Sequence, residues 1–476
     1  MAKLVAIGDS LTQGFQSGAI FQTEQSFPAI IARSMGLNIP TDFRIPRFPG
    51  SGLPLNIEAL LRWMETRLGS EIRSTEWTLK FPFLFSEYAD DIEDLYERGR
   101  GSRPSAFGGT YHNLGVWGFR VVDSLTVNTD YCKKAISSEE EFLEDDFLGL
   151  PSASMYRTAL RVLNPKLRSE RSSWTQLDNL EYIVEEEGVE NLVVWLGSND
   201  CLGTVVNLKL NDMSSPVTYD DSLKRRKYNL THPDVFEQDF AKLVTEITRI
   251  VPSSTNVFVG TIPKVTIPPI TQGIGSMQED YFEYYGRFFS SEDNFSRFLQ
   301  NHLTRAEAKQ IDLRIDSFNQ TIQNTVDSQS GNWHIVDVGE VLNSLAVKRN
   351  NASDAPGRVL REYYAKFGIS DHPLLNLDPI PNTLRLDTKN GQRLAGGLFS
   401  LDCIHPTTIG YGIVAEAFLR KMQQANVENA DPARLNWTEI INGDTLIQSP
   451  PILWDDIVMA AQSNATLWNV IFSVVG

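Results

Sequence analysis

Acyl transfer at neutral pH needs a hydroxyl or thiol nucleophile, an imidazole to take its proton, a group to orient that imidazole, and donors for the developing oxyanion. Imidazoles are scarce in this chain: His112, His232, His302, His334, His372 and His405 are its six histidines. His405 lies in Leu401-Asp402-Cys403-Ile404-His405-Pro406, three residues after Asp402. That carboxylate could accept the Nδ1 proton and leave Nε2 facing a hydroxyl, the tautomer a general base requires. Read singly, His405 also suits a helix cap and Asp402 an Asx turn. His372, in Asp371-His372-Pro373, lacks the three-residue offset and reads as loop surface, and His334 reads as a packed residue at the start of a strand.

The best-placed hydroxyl is Ser10, in Gly8-Asp9-Ser10-Leu11-Thr12-Gln13-Gly14 at the end of the first apolar run. The same tripeptide is good turn chemistry. It is not a Gly-x-Ser-x-Gly elbow, because Thr12 stands where the second glycine would be. Two further loops offer oxyanion donors. Leu196-Gly197-Ser198-Asn199-Asp200 presents the Asn199 amide or merely caps a helix. Asn113-Leu114-Gly115-Val116-Trp117-Gly118 offers the Gly118 backbone N–H, where the missing side chain lets a substrate approach. Gly115 is the alternative in the same segment.

These loops follow short β-branched runs: Lys3 to Ile7, Thr110 to Leu114, Asn191 to Leu196, Asn256 to Ile262 and His334 to Val338. Amphipathic helical patterns lie between them. Phe27 to Met35 has Ser26 as N-cap, Pro28 in the first turn and Gly36 beyond its end; Val235 to Ile250 and Asp312 to Val326 are others. The alternation predicts an α/β fold of three layers, α/β/α, with a central five-stranded parallel sheet whose ligands bind outside the carboxyl ends of the strands. A helix at Thr407 to Gln424 then carries the His405 loop.

Such a domain needs about 150 to 200 residues. The 476-residue chain must therefore hold large insertions, near 15–109, 119–188, 266–304 and 350–398. A boundary near 430 leaves 431–476 as an appendage expected to pack on the body. Its last stretch, Ala465 to Gly476, is largely apolar but falls short of the roughly 20 residues that span a bilayer as a helix. Glu139-Glu140-Glu141 with Glu144-Asp145-Asp146 reads as a solvated acidic face.

With 60 acidic against 43 basic residues, the formal charge is -17. Such a field repels polyanions and argues against nucleic acid or an anionic membrane surface as the main partner. Cys132, Cys201 and Cys403 are too few for a disulfide framework and read as small packed thiols. No His/Asp/Glu cluster shows metal-ligand spacing, so no cofactor or metal is expected. Asn229, Asn294, Asn319, Asn351, Asn436 and Asn464 begin glycosylation sequons, which bear only on a secretory context. Free thiols and no visible leader lean towards a cytoplasmic location, unless the N-terminus has been trimmed.

The four motif segments, in this order, resemble the GDSL lipases, or SGNH hydrolases, named for Ser, Gly, Asn and His. The first block matches Gly8 to Leu11, the second Asn113 to Gly118, the third Gly197 to Asp200 and the last Asp402-x-x-His405-Pro406. Val257 to Pro263 and the strand ending at Val338 also resemble framework segments of that family, whereas the insertions match none. The resemblance implies Ser10 as nucleophile, His405 as base, Asp402 as its orienter, and Ser10 N–H, Gly118 N–H and the Asn199 side chain as oxyanion donors. It implies hydrolysis of a lipid, carbohydrate or other small-molecule ester through an acyl-serine, with activity falling as acid protonates His405.

Acyltransferases of the same fold and a non-catalytic lipid- or glycan-binding module are the alternatives. A phosphatase with Asp9 and Asp200 as Mg²⁺ ligands is disfavoured, because the first loop lacks an Asp-x-Asp pair. The aromatic stretch Tyr281, Phe282, Tyr284, Tyr285, Phe288 and Phe289 reads either as a lid over an acyl chain or as the apolar face that anchors a long loop.

Overall fold

A computed structural model of the chain describes residues 1–69, 74–142, 150–216, 225–350, 353 and 355–463. The acidic residues 144–146, the apolar tail 465–476 and the sequons at Asn351 and Asn464 lie outside the described residues.

Strand β1 (Val5–Gly8) runs into the one-turn helix α1 (Ser10–Gln13), and α2 (Phe27–Ser34) follows. Beyond the long insertions, α3 (Gln176–Glu187) leads into β2 (Asn191–Trp195), and α4 (Pro233–Ile250) into β3 (Asn256–Gly260). Helix α5 (Arg305–Asp327) leads into β4 (Trp333–Val336), α6 (Val338–Leu345) follows at once, and α7 (Thr408–Gln424) comes after a further insertion. The four strands form one parallel sheet in the order β1-β2-β3-β4. Gly8 pairs with Trp195, and Gly260 with Val336, so the carboxyl ends share one edge.

The period-two geometry of a strand sends alternate residues to opposite faces. Val5, Ile7, Leu192, Val194, Val257 and Val259 join the core beneath α3, α4 and α5, where Phe236 stacks on Phe318 at 4.0 Å between ring centroids. Leu4, Ala6, Val193, Trp195, Phe258 and Val336 join a second core under α2 and α7. Both faces are therefore covered, as a parallel sheet requires.

The expected fifth strand at Thr110 to Leu114 is not a strand: the sheet has four, and this segment adds one parallel bridge, Asn113 to Ala6. The cause is local. Asn113 Oδ1 accepts the Gly115 N–H at 3.0 Å, an Asx turn that bends the chain away, while the N–H groups of His112 and Asn113 donate to the Arg44 carbonyl. A Cβ on Gly115 would lie 2.6 Å from the Gln13 nitrogen, so this close passage needs glycine.

Helix ends follow sequence chemistry. Thr304 and Glu307 form a capping box that starts α5 earlier than its apolar pattern suggests. His372 corrects a sequence expectation: it is buried rather than on a loop surface, stacked on Tyr364 at 3.7 Å and edge-on to Trp437 at 4.6 Å. His334 is only half-buried, with its ring against Phe258 at 4.9 Å.

In the 266–304 insertion, Thr271–Gln278 pairs with Tyr281–Arg287 as a hairpin whose Tyr285, with Phe288 and Phe289 beyond it, sinks into the core under α5. These aromatics anchor the loop. Residues 431–463 pack on the body through buried Trp437 and Trp454, and Trp454 Nε1 donates to the Leu386 carbonyl at 2.8 Å. Among the described residues, no helix is long and apolar enough to cross a membrane.

Candidate active site

Ser10 opens α1 directly beyond β1, with Asp9 as the N-cap accepting the Leu11 N–H at 3.0 Å. The approach requires glycine at position 8, where a Cβ would sit 2.0 Å from Thr12 Oγ1 and 2.7 Å from the Trp195 carbonyl oxygen. Gln176 Nε2 ties this junction down by donating to the carbonyls of Gly8 at 2.9 Å and Leu114 at 2.7 Å. Asn113 Nδ2 donates to the Thr12 carbonyl at 2.8 Å.

Across the sheet edge, the loop before α7 brings in His405. Its Nε2 lies 2.9 Å from Ser10 Oγ and its Nδ1 lies 3.0 Å from Asp402 Oδ2. With the Nδ1 proton given to the carboxylate, Nε2 accepts the serine hydroxyl. The Phe15 ring sits 4.4 Å from the imidazole and limits its tilt.

Asp402 is fully buried and accepts from every side. Gly18 N–H reaches Oδ2 at 2.9 Å; Ile404 N–H, His405 N–H and Ser400 Oγ reach Oδ1 at 2.9, 2.8 and 3.2 Å. Burial alone would push this carboxyl up, but the imidazole and the N–H donors outweigh burial and hold it below its ordinary range. Gly18 and Ser400 gave no signal in the sequence, because they meet Asp402 only through a long-range contact and a short polar turn.

The second loop places Gly118 at φ +76, which favours glycine, and a Cβ there would meet Met155 Sδ at 2.8 Å. Gln13 Oε1 accepts the Trp117 N–H at 2.9 Å and fixes this turn against α1. The N–H groups of Ser10 and Gly118 find no acceptor among the described residues. Asn199 is differently placed. Its Nδ2 donates to the Phe119 carbonyl at 3.0 Å and to Asp9 Oδ2 at 3.3 Å, so both amide hydrogens are engaged.

Asp9 and Asp200 are buried and committed to N–H and O–H donors; Thr231 Oγ1 and Val121 N–H serve Asp200 at 2.8 and 3.2 Å. Burial pushes both carboxyls up, Asp9 to about 7. Neither suits a Mg²⁺ site, which needs ionised and available oxygens. Among the described residues, no group of three His, Cys, Asp or Glu side chains is placed to hold a metal ion. All three cysteines are buried free thiols whose pKa burial raises, which makes them poor nucleophiles.

Asp9 has a measurable consequence for stability. Between its ordinary value of 3.8 and about 7, the unfolded chain has released this proton while the folded chain keeps it. Raising pH across that window therefore favours unfolding, and the loss is complete above the folded value. Asp9→Asn keeps a capping side chain but cannot titrate. The melting temperature of the variant relative to wild type should rise steadily from pH 4 to pH 7 and then level off, a change on the order of 4 kcal/mol. A difference constant with pH would show that Asp9 is ionised in the fold throughout.

A cavity of about 100 Å³ has Ser10 and His405 in its wall. None of the aromatic residues of the 266–304 insertion lines it, so that hairpin is not a lid over this cavity.

No protein-family model, curated protein or solved structure matches the chain.

Proposed function

We propose that this protein is a serine ester hydrolase of the GDSL, or SGNH, type, working through an acyl-serine intermediate. The observation that carries the reading is the unbroken relay Ser10 Oγ, His405 Nε2, His405 Nδ1, Asp402 Oδ2, with steps of 2.9 and 3.0 Å. The fold agrees with it. If the bridged segment at Asn113 is counted beside β1, the five segments stand in the order 2-1-3-4-5 of a flavodoxin-like sheet, with the site outside the carboxyl ends.

In this reaction His405 takes the Ser10 proton as Oγ attacks the ester carbonyl carbon. The oxyanion forms against the N–H groups of Ser10 and Gly118, each such donor lowering the barrier by about 3 kcal/mol. Asn199 joins them by exchanging its longer bond, the one to Asp9, for the oxyanion. His405 then protonates the leaving alcohol. Water, deprotonated by the same imidazole, releases the acid and returns the proton to Ser10. Asp402 stays ionised and stabilises each imidazolium that forms.

The experiment is active-site labelling beside turnover. Purified protein should hydrolyse p-nitrophenyl esters with activity that survives EDTA. One equivalent of a fluorophosphonate should abolish it, and the adduct should map to the peptide bearing Ser10. A label on another residue, or activity lost to chelation, would contradict the assignment.

A further inference from the structure

We infer that the cavity beside Ser10 is a slot for a short, unsubstituted aliphatic acyl chain of about four carbons, which makes the substrate a butyrate-class ester rather than an acetylated sugar or a long-chain lipid. This deepens the proposed serine-hydrolase reading and rests on it.

Two helices that meet at the catalytic edge supply part of the wall, and the loops after the strands and before α7 supply the rest. Val338, Val341, Leu342 and Leu345 line the cavity from α6, a spacing of i, i+3, i+4 and i+7 that places all four on one face. Gly410, Ile413 and Val414 line it from α7, the helix that follows the His405 loop. Gly410, in the first turn of α7, packs against the loop before it: a Cβ there would lie 2.6 Å from the Leu398 carbonyl oxygen and 2.9 Å from Pro406 Cβ.

Polar residues in the lining have their polar atoms engaged elsewhere. Lys264 Nζ pairs with Asp316 at 3.4 Å, Trp195 Nε1 donates to the Thr261 carbonyl at 3.0 Å, and Thr383 Oγ1 donates to the Leu345 carbonyl at 3.0 Å. A sugar hydroxyl entering this space would give up its water hydrogen bonds with few replacements, whereas a methylene loses nothing. Beyond the catalytic pair, Ser198 is the remaining polar side chain of the lining.

Size sets the chain length. An apolar cavity of about 150 Å³ takes the six carbons of benzene, so one of about 100 Å³ takes about four. Ser10 and His405 stand in the wall, so an acyl chain attached at Ser10 Oγ enters the slot directly. None of these wall residues belongs to the four motif segments except Ser10, Leu11, Ser198, Ile404, His405 and Pro406.

The test is the acyl-length profile of kcat/KM on p-nitrophenyl acetate, butyrate, octanoate and palmitate, for wild type, Leu342→Trp and Leu342→Ala. Each buried methylene is worth about fourfold, so butyrate should exceed acetate by about fifteenfold, and palmitate should fall well below butyrate. Leu342 is half-buried, so added bulk there is compatible with folding. Leu342→Trp should bring the butyrate-to-acetate ratio down to about one. Leu342→Ala should move the optimum to a longer chain.

A flat profile, or an optimum that neither substitution moves, would overturn the slot while a fluorophosphonate adduct on Ser10 kept the hydrolase reading intact. Folded protein with neither adduct nor turnover on any ester would remove the hydrolase reading, and this inference with it.

Discussion

Ser10→Ala should lower kcat for ester hydrolysis by about 10⁶-fold, to a rate still above that of the uncatalysed reaction. Loss of the hydroxyl leaves His405 without a proton to take, and the remaining N–H donors stabilise only direct attack by water. The residual acceleration, about 10³- to 10⁴-fold, comes from those donors and from binding. Folding should be almost untouched. The substitution removes one oxygen from a side chain that is 4% exposed, and its partner Nε2 retains space for a water. Turnover measured on protein whose melting temperature lies within a few degrees of wild type checks both halves. A variant keeping more than about a hundredth of wild-type kcat would remove Ser10 as nucleophile.

Asp402→Asn should cost about 10⁴-fold in kcat, and here stability should fall as well. The wild-type carboxylate accepts five hydrogen bonds, from Gly18 N–H, Ser400 Oγ, Ile404 N–H, His405 N–H and His405 Nδ1. An amide offers one oxygen, so whichever way it turns, its NH₂ faces donors. If the NH₂ replaces Oδ2, it meets Gly18 and the imidazole, and His405 is driven to the tautomer that cannot accept from Ser10. If it replaces Oδ1, it meets two backbone N–H groups, each unsatisfied donor costing about 1–3 kcal/mol.

The pH dependence of that cost has a definite sign. Asp402 is held below its ordinary value of 3.8, so its stabilisation is present in full above that value and is lost as pH falls through the lower folded value. The gap in melting temperature between wild type and Asp402→Asn should therefore be constant near neutrality and narrow only in strong acid. Asp9 acts in the opposite sense and in a different window. Stability profiles of the two variants thus separate a carboxylate whose donors outweigh its burial from one whose burial outweighs its donors.

The segments that meet at the sheet edge were legible because each is local: a β-branched run, then a few residues with turn or donor chemistry. Ser10 could be singled out in that way, Asp402 and His405 by their three-residue spacing among only six histidines, and the structure brings the three within hydrogen-bonding distance. The framework around them was not legible. Nothing in the sequence marks Gln176 or Gln13, and only the folded chain shows their amides holding the Gly8 and Trp117 loops.

The loss of the expected fifth strand has a different cause. The run Thr110 to Leu114 has strand composition, but Asn113 competes for the Gly115 N–H with its own side chain and wins over the ladder. His372 was misread because its burial depends on Trp437 and Tyr364, which a local reading cannot place beside it. The slot between α6 and α7 was hidden for the same reason. Its α6 stripe looks like any core-facing helix until the neighbouring helix is seen to leave room.

The hydroxyl and its imidazole stand 395 positions apart in the chain. At 5–20 residues per second, a ribosome takes about 20 to 80 s to add the stretch between them. Throughout that interval the nascent chain carries a serine with no base, while β1 waits for its sheet partner β2 to be made. The proposed ester chemistry can begin only after synthesis has passed His405, so a chain released before that point is chemically silent whatever part of the sheet it has managed to fold.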